Sequence, residues 1–113
     1  MSKYLISFPA AAMVVPAEEL PAVAEAAHAV IREAKAAGVY VFAGGIDAAV
    51  APLRVAGDGS VREGAGTTSP TLDGGFAVLE LPSREAALTW AARLAAACRC
   101  EQELRVFMFD PES

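Results

Sequence analysis

Four stretches of this chain alternate in the two-residue rhythm of a β-strand, yet each is apolar on both sides. In the first, Tyr4, Ile6 and Phe8 point one way and Leu5 the other. Val39 and Val41 oppose Tyr40 and Phe42, while Phe76 and Val78 oppose Leu79 and Leu81. In the last, Leu104, Val106 and Met108 oppose Phe107 and Phe109. An antiparallel sheet wetted on one side shows polar residues on that side. A sheet made of these strands therefore needs cover on both.

The rest of the chain supplies two helices. One is expected over 17–37, with Glu18 and Glu19 in its first turn and Gly38 to end it. Its apolar stripe is Leu20, Val23, Ala27, Ile31 and Ala34. Pro21 is tolerable only if the helix proper starts at it or just before. The other helix is expected over 84–98, capped by Ser83. Strands are expected at 3–8, 39–43, 76–81 and 103–109. A glycine-rich turn, Gly57-Asp58-Gly59-Ser60, joins a hairpin of 53–56 and 61–63. Residues 67–75 form a polar loop. This order is the α+β, ferredoxin-like βαββαβ pattern with an extra central hairpin, both helices on one face of a mainly antiparallel sheet.

Two helices on one face leave the other face for a partner, and the expected partner is a second copy. Burying ~800 Å² per subunit at roughly 25 cal/mol/Å² gives a gross gain on the order of 40 kcal/mol. Association costs about 4–15 kcal/mol in lost freedom before further ordering costs. A homodimer is therefore expected.

Composition excludes several classes. The chain has 113 residues, a length for one domain, with 55% hydrophobic residues and a net charge of −5. It lacks a basic patch, so nucleic acid is not an expected partner. Lys3 precedes an apolar stretch that resembles a signal peptide, but Pro9 interrupts it and the alternation reads as a strand. No stretch reaches the roughly 20 apolar residues of a membrane span, so no membrane is expected. Cys98 and Cys100 are too close in sequence to clip a loop, and without further ligands they make a poor zinc site. Reduced thiols, a cytoplasmic location and no cofactor are the expectation.

Several segments resemble the YCII-related, or DGPF-domain, family over nearly the whole chain. They are Lys3-Tyr4-Leu5, Ala36-Ala37-Gly38-Val39 with Gly45, and Ala51-Pro52-Leu53-Arg54 with Asp58-Gly59. Leu72-Asp73-Gly74-Gly75-Phe76 and Glu85-Ala86-Ala87 with Trp90-Ala91-Ala92-Arg93 complete the likeness. Where the family motif Asp-Gly-Pro-Phe would stand, this chain has Glu63-Gly64-Ala65-Gly66. The resemblance implies a dimeric α+β barrel. For some relatives it also implies a His–Asp pair in a cleft, and for others association with sigma factors.

The candidate chemistry is sparse. His28 is the only histidine and the first place to seek a general base, but it borders the helix's apolar stripe, where a solvated helix-edge histidine is the favoured reading over a functional one. Asp47, after Gly44-Gly45-Ile46, either orients His28 or stabilises a turn. Gly45 would let a ligand approach the backbone, although Gly44-Gly45 is no phosphate loop. Arg54 either binds an anion or pairs with Glu63 across the hairpin, and Glu63 is equally ambiguous. Thr67, Thr68 and Ser69 have no base placed to activate them. Trp90 is either a packing anchor or a stacking platform.

Two functions remain open. One is a small-molecule enzyme or binding protein with His28, Asp47 and Arg54 around a cleft near the dimer seam. The other is a non-catalytic accessory domain acting through protein contacts.

Overall fold

A computed structural model describes residues 1–64 and 72–113. Strand β1 (Ser2–Phe8) leads through two short 3₁₀ turns into helix α1 (Leu20–Ala36), then β2 (Tyr40–Gly45). Strands β3 (Arg54–Val55) and β4 (Val61–Arg62) form a hairpin, followed by β5 (Gly75–Leu81), helix α2 (Arg84–Cys98) and β6 (Glu103–Val106). The main sheet has the order β2-β5-β1-β6, every neighbouring pair antiparallel. That is the ferredoxin-like α+β arrangement, with both helices packed against one side.

The helices start and stop for local reasons. Glu18 and Glu19 fall in a 3₁₀ turn rather than in α1, which begins at Leu20, so Pro21 sits in the first turn where its missing N–H costs nothing. The helix expected from 17 is thus three residues shorter at its start. Gly38 ends α1 in the left-handed region (φ +76°), letting Val39 N–H reach back to the Ala34 carbonyl at 3.1 Å. At α2, the Ser83 hydroxyl accepts the Ala86 N–H at 3.1 Å. Arg99 ends that helix in the left-handed region and donates to Glu19 at 2.5 Å, placing the end of α2 beside the start of α1.

The core lies between the helices and one side of the sheet. Tyr4, Ile6, Ala77, Leu79 and Leu81 meet Ala34 of α1 and Ala87, Ala91 and Leu94 of α2. Alanines on the helices let the two layers approach closely. Leu79 is 0% exposed and faces Tyr4 on one side and Tyr40 on the other.

Three expectations need correction. The alternation in β2 is interrupted by a bulge at Val41, because Tyr40 pairs with Leu79 but Phe42 pairs with Val78. Tyr40 therefore faces the helices and Phe42 faces away, although a strict two-residue rhythm would put them together. The extra hairpin forms as expected, as a two-stranded ribbon separate from the main sheet. Its strands and β6 are shorter than expected, and β6 stops at Val106 although the Phe107 N–H still reaches the Lys3 carbonyl at 2.9 Å.

The side of the sheet away from the helices is also more mixed than the apolar alternation suggests. Leu5, Phe42, Phe76, Val78 and Phe107 share it with Lys3, Ser7, Glu80, Glu103 and Arg105. Ion pairs Lys3–Glu80 (3.4 Å) and Arg105–Glu103 (2.8 Å) lie on this side. It has an apolar middle with charged pairs around it.

Leu79→Ala should cost about 2–5 kcal/mol in urea unfolding at fixed protein concentration, because Leu79 is fully buried in the core cluster. A loss below about 1 kcal/mol would contradict the placement of β5 at the centre of the core.

Candidate functional site

Along α1 the apolar stripe splits into two uses. Ala34 is fully buried in the core, whereas Leu20, Val23, Ala27 and Ile31 line a cleft of about 590 Å³ between the helix and the sheet. Such a volume suits a small organic ligand. The facing wall is Ile6 and Phe8 of β1, Ala43 of β2, Ala77 of β5 and Leu94 of α2. The polar groups that reach it are His28, Lys35, Tyr40 and Gln102. The Lys35 ammonium lies 4.8 Å from the centre of the Tyr40 ring, a cation–π contact.

Two glycines at one corner of the cleft, Gly74 and Gly75, have steric reasons. Gly44 and Gly45 at the end of β2 and Gly75 at the start of β5 all line it. A Cβ on Gly75 would come within 2.6 Å of the Phe8 ring, and one on Gly74 would land on the Phe8 carbonyl oxygen. The Leu-Asp-Gly-Gly-Phe segment thus lets β5 start hard against the end of β1. The Asp73 carboxylate accepts the Ala10 N–H at 2.9 Å and ties the same corner.

The other candidate residues lie elsewhere. The Asp47 carboxylate accepts the Ala49 N–H at 2.9 Å in its own turn, and no hydrogen bond among the described residues joins it to His28. His28 acts electrostatically on Glu25, one turn back on α1. That carboxyl is held below its usual range mainly by the hydrogen-bonded Arg32 guanidinium, with His28 adding a smaller pull. Arg54 and Glu63 belong to the exposed hairpin and do not line the cleft. Arg54 stands opposite Arg62, so no ion pair with Glu63 forms across the ribbon. Thr67, Thr68 and Ser69 lie outside the described residues. The Trp90 ring packs partly on the core and carries the Arg93 guanidinium at 4.4 Å. Arg93 also pairs with Glu33, joining α2 to α1.

Of the five candidates, His28 and Gly45 come together at the cleft, while Asp47, Arg54 and Glu63 do not. Lys35, Tyr40 and Gln102 had not been singled out. Lys35 was legible: it follows Ile31 by four residues and His28 by seven, so it shares their side of the helix.

Among the described residues, no three His, Cys, Asp or Glu side chains gather where they could hold a metal ion, and no helix is long and apolar enough to cross a membrane. Both cysteines are free. Cys98 lines the cleft, and burial pushes its thiol up to about 11, with the neighbouring Cys100 adding to the rise. Burial raises the Cys100 thiol as well. Comparison with known proteins finds neither a matching family model nor a matching curated protein.

A raised thiol pKa lowers the fraction of reactive thiolate at any neutral pH. Iodoacetamide at about pH 8 should therefore alkylate Cys98 in the folded protein roughly a hundredfold more slowly than in denaturant. Equal rates in the two states would contradict its burial.

Proposed function

We propose that this chain is a homodimeric protein that binds a small anionic molecule between α1 and the sheet. The observation that carries this reading is electrostatic. The chain has 14 acidic residues and a net charge of −5, yet no aspartate or glutamate lines the cleft. Lys35 and His28 do, against walls that are otherwise almost wholly apolar. Both are exposed, at the rim of the cleft, where a cation without a facing carboxylate favours an anion. Binding rather than catalysis is what these groups support, because a general base works best when a second group orients it.

The dimer is supported from the opposite side of the sheet. The chain exposes 7546 Å², against about 5,800 Å² for a compact chain of its mass. The excess of roughly 1,700 Å² is shared between the hairpin, the C-terminal residues and this side of the sheet. Leu5, Phe42, Val78 and Phe107 lie on the uncovered side, and Phe42 is 58% exposed. Two such sheets stacked through these sides would form a dimeric α+β barrel, the assembly that the likeness to YCII-related domains implies. Membership of that family is part of the proposal. In this arrangement the ligand cleft lies on the helix side, away from the seam.

A second reading, a non-catalytic accessory domain, is favoured by the hairpin ribbon. Leu53, Val55 and Val61 are exposed on it, more apolar surface than a solvated hairpin needs.

Anilinonaphthalene sulfonate joins an apolar body to one anionic group and should bind folded protein with a rise in fluorescence. Ala27→Trp, which fills the cleft, should abolish that rise while the circular dichroism stays native, and Ala24→Trp, one turn earlier on the same helix, should do the same. Fluorescence that persists in both folded variants would remove the cleft as the ligand site.

A further inference from the structure

The shape of the cleft restricts the ligand further, on the reading that the cleft is a ligand site at all. Leu20, Val23, Ala27, Ile31 and Lys35 all line it and are spaced three or four residues apart, so the cleft runs the length of α1. From Leu20 to Lys35 that is about 22 Å at 1.5 Å per residue. It is therefore long and narrow.

Its charge lies at one end. Lys35, on the last turn of α1, stands over Tyr40 at the start of β2. The far end is marked by Leu20 and by Gln102 beyond α2, two regions that the Arg99–Glu19 pair brings together. Between the ends the lining is apolar, aliphatic along α1 with Phe8 and Phe76 lining it from the sheet, except for His28 and the Cys98 thiol. Other charges on α1 are occupied: Arg32 pairs with Glu25 and Glu33 with Arg93. Among the described residues Lys35 has only the ring, which leaves its three N–H donors able to take a carboxylate. One ammonium without an arginine beside it is too little for a phosphate cluster or a dicarboxylate.

We propose that the cleft takes an elongated monocarboxylate, with its carboxylate at Lys35 and its apolar body lying along α1 towards Leu20. Tyr40 holds the ammonium at the mouth of the cleft. His28 sits where a mid-chain polar substituent would fall.

Three probes with one tail separate the head-group claim from the cleft itself: dodecanoate, dodecanol and dodecyltrimethylammonium, titrated into the full chain by calorimetry. Dodecanoate should bind about tenfold or more tightly than the other two, the worth of a hydrogen bond to a charged group. Lys35→Met keeps the helix and the aliphatic stem. It should weaken dodecanoate about tenfold while changing dodecanol less than about twofold. Equal binding of all three probes, or a Lys35→Met variant that holds dodecanoate as well as the native chain, would overturn the carboxylate assignment. If none binds while anilinonaphthalene sulfonate still does, and Ala27→Trp still abolishes it, the cleft stands and the elongated ligand falls. If anilinonaphthalene sulfonate also fails, the cleft reading falls first.

Discussion

One sheet has two sides, and this chain carries helices enough for only one of them. Strand β5 runs between β1 and β2, and its residues Ala77, Leu79 and Leu81 are buried against α1 and α2. Removing that apolar surface from water is the main driving force for the fold, and it acts on the helix side alone. Everything of functional interest follows from how the two sides are finished. On the helix side, α1 touches the core closely through Ala34 and leaves a gap along the rest of its apolar stripe. On the other side lies an apolar middle bordered by the pairs Lys3–Glu80 and Arg105–Glu103.

That pairing of an apolar middle with a charged rim is how protein interfaces are commonly built. It differs from a monomer's wet sheet face, on which polar residues alternate throughout. The gap under α1 has a different character: open along one side, mostly apolar, free of acids and positive at one end. The proposed division assigns the second copy to one side and the ligand to the other, so that neither competes for the same surface.

Much of the framework could be read from the residues. Proline at 21, glycine at 38 and serine at 83 mark helix boundaries by chemistry that operates within a few residues, and periodicity gave every strand of the main sheet. What periodicity could not give was the bulge at Val41, since one inserted residue leaves the apolar pattern intact while reversing which side Phe42 faces. Nor could it separate the ribbon from the sheet, because pairing partners are a tertiary matter. Counting only apolar members also hid Lys3, Ser7, Glu80 and Arg105 on the uncovered side. The candidate site was half legible. Histidine and glycine at 28 and 45 drew notice by type, but Lys35 and Tyr40 matter through position, at one end of a cleft whose existence depends on how far α1 stands from the sheet. Arg54, Glu63 and Asp47 drew notice by type too, and the fold puts them in turns and on the ribbon.

The constraint at the root of this account is the uncovered side of the sheet, and sedimentation at about micromolar concentration tests it most directly. The native chain should sediment at twice its 11.6 kDa mass. Leu5→Arg and Val78→Arg, which place a charge in the apolar middle, should each sediment as folded monomers. A native chain that sediments as a monomer with Leu5 and Val78 open to water would contradict it.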